Sequence, residues 1–112
     1  MTVNVYEQYF EADLVANGVL RRGALVMLIA DSEVGHIHYE AAVTFFPHED
    51  EEDFAVSYDA YYSAVLFDGP SRRSKKREEK LLQGLPGEID ALAQAAGGEV
   101  HWDRPLREAR RG

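Results

Sequence analysis

The stretch NVYEQYFEADLVANGVL, residues 4–20, decides the fold because it reads in two ways. As a helix, Asn4 and Glu7 form a capping box, Tyr6, Phe10 and Leu14 share one face, and Asn17-Gly18 supplies the C-cap. As a strand, Tyr6, Gln8, Phe10, Ala12 and Leu14 alternate with Glu7, Tyr9, Glu11 and Asp13, and Asn-Gly between apolar pairs is a hairpin signal. The strand is favoured, since Val19-Leu20 lead straight from the turn into a further apolar run. Gly23 then marks a candidate bulge. The helix stays open as the alternative.

Working outward, ALVMLIA at 24–30 is apolar on both faces, as suits a central strand, and DSEVG at 31–35 is a turn-rich link. In 36–46, Ile37, Tyr39, Ala41, Val43 and Phe45 alternate with His36, His38, Glu40 and Thr44. A longer alternation follows, with Phe54, Val56, Tyr58, Ala60, Tyr62, Ala64 and Leu66 on one side and Ala55, Ser57, Asp59, Tyr61 and Ser63 on the other. These segments read as an antiparallel meander.

The rear of the chain is helical. Leu81, Leu85, Ile89, Leu92 and Ala96 make one apolar stripe, Ser74 is a candidate N-cap, and Gly97-Gly98 end the helix. Pro86 lacks the amide that would bond Leu82, which predicts two helices or one kinked helix. EVHWD at 99–103 reads as a short edge strand. The expected fold is therefore α+β: an antiparallel sheet of four to five strands with a C-terminal kinked helix, or two helices, packed on one face. The expected domain covers 1–103, with 104–112 a basic, flexible tail.

A chain of 112 residues fits one domain with a real core. It has no cysteine, which excludes disulfides, zinc thiolates and thiol nucleophiles. MTVNVYEQYFEADL lacks the basic start and apolar block of a secretory signal, and no apolar run is long enough to cross a bilayer, so a soluble, cytoplasmic protein is expected. The net charge of −8 is unevenly spread. Residues 1–71 hold two basic against thirteen acidic residues (−11), and residues 72–112 hold ten basic against seven acidic (+3). That acidity argues against duplex nucleic-acid binding, which needs an extended basic surface, and favours a basic partner.

Few residues carry recognisable chemistry. His36, His38 and Glu40 lie on one side of their strand, where two imidazoles and a carboxylate suit a divalent ion. The row differs from the metal strand of cupins, in which the glutamate lies further on, and no second histidine motif follows. No metal and no cofactor are expected. The acidic run His48–Asp53 lacks the glycine-bearing loop of a calcium site and reads as a solvated loop. The serines sit in no nucleophile elbow, and no glycine-rich phosphate cradle occurs, so an enzyme is not expected. The basic patch Arg72, Arg73, Lys75, Lys76 and Arg77 suits phosphate contact, or else balances the acidic loop at 49–53.

The residues that agree best are those of the outward sheet face: Glu7, Tyr9, Glu11, Asp13, His36, His38, Glu40, Asp59 and Tyr61. Rigid tyrosine rings among carboxylates suit a protein interface that steers a basic partner. The expectation is a small acidic, non-enzymatic protein-binding module that inhibits a basic, nucleic-acid-binding protein. By charge and size it is similar to phage anti-defence proteins such as anti-CRISPRs, and to toxin immunity proteins. The alternatives are a small-molecule or metal-binding protein with a pocket near Tyr58, Tyr62 and Trp102, possibly catalytic, and a subunit that dimerises through a strand edge. Monomer and homodimer both remain open.

Overall fold

The computed structural model describes residues 1–47 and 60–106. They form β1 (Thr2–Ala16), β2 (Val19–Glu33), β3 (His36–Phe46), β4 (Ala60–Gly69), α1 (Lys75–Ala96) and β5 (Glu99–Pro105). The strands make one antiparallel sheet in the order β4-β3-β2-β1-β5, with α1 on one face. This is the expected α+β architecture.

Residues 4–16 are strand. Asn17 and Gly18 both take positive φ, 53° and 76°, the geometry that lets a two-residue turn follow the natural strand twist. The Asn4–Glu7 pair that mimics a helix cap is real but has another cause. Asn4 pairs with Ile29 and Tyr6 with Leu28, so Val5 is an extra residue that brings Asn4 and Glu7 to the same face, where Asn4 Nδ2 donates to Glu7 Oε1 at 2.9 Å. A second bulge lies in β1 between Glu11 and Leu14, opposite Arg22 and thus beside Gly23 rather than at it. A Cβ on Gly23 would meet the Phe46 ring at 2.4 Å, so a larger residue there requires that ring to shift.

The core lies between sheet and helix. Phe10, Leu14, Val26, Leu28, Val43, Phe45 and Val100 pack against Leu85, Ile89 and Ala93 of α1. The helix runs unbroken for 22 residues through Pro86, which corrects the two-helix alternative. Pro86 is exposed, while Leu85 and Ile89 on either side are buried, so packing holds both halves on the sheet despite the missing amide. Ser74 caps the start, with its Oγ accepting from Arg77 N–H at 3.2 Å. At the other end Gly97 N–H donates to Gln94 O (3.0 Å) and Gly98 N–H to Ala93 O (2.8 Å), the Schellman pattern.

The N-terminal half of the predicted strand from Phe54, together with the acidic loop at 49–53, lies outside the described residues. At the C-terminus β5 continues to Pro105, and Leu106 N–H donates to Tyr9 O at 2.9 Å. The sheet thus extends past the predicted boundary at 103; residues 107–112 lie outside the described residues.

Candidate protein-binding face

Side chains alternate across each strand, so the sheet has a helix face and an outer face. Cross-strand pairing orders the outer face into rows: Tyr9–Leu25–Thr44–Tyr61, Glu7–Met27–Ala42–Ser63, Asn4–Ile29–Glu40–Val65, and Thr2–Asp31–His38–Asp68. Its centre is apolar. Leu25, Met27 and Ile29 of β2 are half-buried, while Tyr61 and Val65 on β4 are 53% and 58% exposed. Among the described residues, no helix or second sheet packs on this side.

The predicted residues divide along this face. Glu7 and Tyr9 are central, and the Tyr9 ring meets Phe46 edge-on at 5.9 Å. Glu11 and Asp13 belong to one corner, with Arg104 Nη1 3.6 Å from Glu11 and His101 Nε2 2.7 Å from Asp13. His36, His38 and Glu40 belong to the diagonally opposite corner, and Asp59 lies outside the described residues. The face is therefore a broad surface rather than one cluster.

At the histidine corner the strand readings missed Asp68. Strict alternation in β4 would place it with Ala64 and Leu66 on the helix face. Instead Glu40 pairs with Val65 and Tyr39 with Phe67, leaving Leu66 as a bulge that turns Phe67 inward and Asp68 outward. Asp68 Oδ1 then lies 2.5 Å from His36 Nε2, and its Oδ2 3.8 Å from His38 Nδ1. The His36 contact, reinforced by His38, holds the Asp68 carboxyl below its ordinary range. Glu40 is 3.6 Å from His38. The signal for this was a charge falling on an apolar face just after a clean alternation. Among the described residues, no group of three or more His, Asp or Glu side chains is disposed to hold a metal ion.

Two of the five residues of the basic patch, Arg73 and Arg77, are engaged within the molecule. Arg73 Nε and Nη2 grip Glu78 at 2.8 and 2.9 Å, and Tyr39 Oη donates to the same carboxylate at 2.6 Å. Arg73, with help from Tyr39, holds the buried Glu78 carboxyl below its ordinary value against the opposing effect of burial. Arg77 lies 4.1 Å from the Phe67 ring centroid and reaches Ser71 Oγ at 3.4 Å. Arg72, Lys75 and Lys76 stay exposed. The described partners of the patch are thus Glu78, Phe67 and Ser71.

Of the residues expected around a sheet–helix pocket, the two described ones lie apart, and Trp102 lines a cleft with Asp90, Gln94 and Glu99. Tyr62 on β4 packs edge-on against Phe45, and Trp102 on β5 packs edge-on against Phe10 and donates to Asp90 Oδ1 at 2.9 Å. They stand at opposite margins of the sheet with the filled core between them, and Tyr58 lies outside the described residues.

Comparison with protein-family models, with curated proteins and with solved structures returns no match for this chain. Among the described residues, no helix is long and apolar enough to cross a membrane.

Proposed function

We propose that this chain is a non-enzymatic protein-binding module whose outer sheet face takes a basic protein and inhibits it by occupying a nucleic-acid-binding surface. The observation that carries the reading is the layout of that face. An apolar centre of Leu25, Met27 and Ile29 is bordered by Glu7, Glu11, Asp31, Glu40 and Asp68. A strand apolar on both faces calls for cover on both, and α1 covers one. Carboxylates around an apolar centre select a partner with a lysine- and arginine-rich rim, as surfaces evolved to hold phosphates have. The electrostatics raise the rate of encounter, and the apolar centre supplies the hold.

The test separates these two contributions. Immobilised protein is presented with nuclease-treated lysate, and the retained basic protein is eluted with a salt ramp and assayed for nucleic-acid binding. Glu7→Gln with Glu40→Gln is expected to lower the eluting salt, Met27→Asp to abolish retention, and the wild-type chain to block nucleic-acid binding by the partner. Retention that neither variant alters would refute the face. A partner that still binds nucleic acid while held would refute the inhibition.

A further inference from the structure

We infer that β4 is a self-pairing edge, along which two copies of this chain join antiparallel into one continuous sheet about a two-fold axis at Ser63. The inference starts from backbone hydrogen bonding. Among the described residues β4 pairs with β3 alone, so the N–H and C=O groups of its other edge have no strand partner among them.

Sheet edges are ordinarily blunted by charges, proline or bulges, because an unprotected edge recruits another strand. The other open edges here are blunted. β5 carries Glu99, Asp103, Arg104 and Pro105, and β1 beyond its pairing with β5 carries Glu7 and the bulge at Val5. β4 is not. From Ala60 to Phe67 it reads AYYSAVLF without a charge, in a chain of net charge −8, and its bulge comes only at Leu66. Two such acidic chains can approach closely where neither presents charge.

The register follows from the pleat. Antiparallel copies keep their side chains on matching faces only when a residue stands opposite its own copy or one an even number of places away. Centring on Ser63 uses the straight segment and sets Tyr61 opposite Val65 of the second copy, twice, on the outer face. Aromatic against β-branched is a favourable cross-strand pair. On the helix face it sets Tyr62 against Ala64, large against small. Tyr61 and Val65 are the exposed large apolar residues of this strand, and the pairing gives each a partner. A two-fold axis between the two β4 strands closes the assembly at two copies. This inference does not rest on the proposed partner, and its test uses none.

The chain has no cysteine, so single introduced thiols report the register cleanly. Directly opposed residues have Cα atoms about 4.5–5.5 Å apart, within disulfide reach. In this register Val65 and its copy are roughly 13 Å apart, four residues along the strand. Under mild oxidation Ser63→Cys is expected to form a covalent dimer and Val65→Cys to stay largely uncrosslinked. Light scattering is expected to give a dimer for the wild-type chain at micromolar concentration and a monomer for Ser63→Lys, which sets like charges face to face at an exposed position, with an unchanged circular dichroism spectrum. A wild-type monomer at high micromolar concentration would overturn the inference. So would crosslinking of Val65→Cys as fast as Ser63→Cys.

Discussion

Tyr39 on β3 donates its hydroxyl to the Glu78 carboxylate of α1 at 2.6 Å, and Arg73 closes the other side of that carboxylate. The contact ties the first turn of the helix to the sheet at a point where both residues are buried. Glu78 also places a carboxylate in the first turn of a helix that begins in basic residues, at the end where the macrodipole favours negative charge.

This pair contributes to both ends of the stability profile with pH. The Glu78 carboxyl is lowered from 4.5, chiefly by Arg73, so its contribution is complete above that value and is lost as pH falls through the lower folded value. The Tyr39 hydroxyl is raised from 10.0, first by burial and then by Glu78, so its contribution is present below pH 10 and is lost as pH rises through the higher folded value. Denaturant midpoints across pH are expected to show Glu78→Gln flattening the acid side and Tyr39→Phe weakening the alkaline side, where Tyr6, also raised by burial, remains. At neutral pH Tyr39→Phe is expected to cost about 1.5–3 kcal/mol, the value of a hydrogen bond to a charged group. Unaltered limbs in both variants would refute the assignment.

Three of the four glycines in or just after α1 sit in different surroundings, and alanine sorts them. At Gly98 a Cβ would sit 2.8 Å from the Asp13 carbonyl oxygen, a backbone atom that cannot step aside, so Gly98→Ala is expected to destabilise by about 1–3 kcal/mol, as overpacking does. Gly97 has open space but φ of 86°, so Gly97→Ala should cost about 1–2 kcal/mol for a left-handed residue with a Cβ. Gly84 is exposed within the helix with nothing near it, so Gly84→Ala should stabilise by about 0.5–1 kcal/mol. Urea unfolding of the three variants checks the order, and a stabilising Gly98→Ala would refute the close approach.

Those glycines mark what was legible before the fold was seen. Ser74, Gly97 and Gly98 bound the helix in sequence as they do in space, and Asn17-Gly18 announces the hairpin, because caps and turns are local chemistry. The central strand and its neighbours were legible from apolar period alone. The bulges at Val5 and Leu66 were not, because an inserted residue shows itself only against the partner strand's register. They account for the two misleading features: the cap-like Asn4–Glu7 pair and the missing Asp68. Continuity through Pro86 was legible as one of two readings, and the burial of Leu85 and Ile89 beneath the sheet decides it. On the outer face, the acids and tyrosines were visible as alternating polar positions. The apolar Leu25, Met27 and Ile29 were visible only as a strand buried on both sides, which left their cover unidentified.

The Leu66 bulge makes a prediction at the histidine corner. Because it turns Asp68 outward against His36 and His38, the carboxyl of Asp68 should titrate below its ordinary 3.8. The hydrogen bond from His36 is the largest cause and the contributions of His38 are smaller, so His36→Ala should raise the Asp68 value more than His38→Ala does. A lowered carboxyl contributes stability above its unfolded value and loses it as pH falls through the folded one, so His36→Ala should also reduce the acid sensitivity of this corner. Carboxyl carbon shifts followed by NMR from pH 2 to 7, about the ordinary range of carboxylates, read each value directly. Equal responses to the two histidine variants, or an Asp68 that titrates normally in the wild-type chain, would refute the His36 hydrogen bond as the cause of the shift.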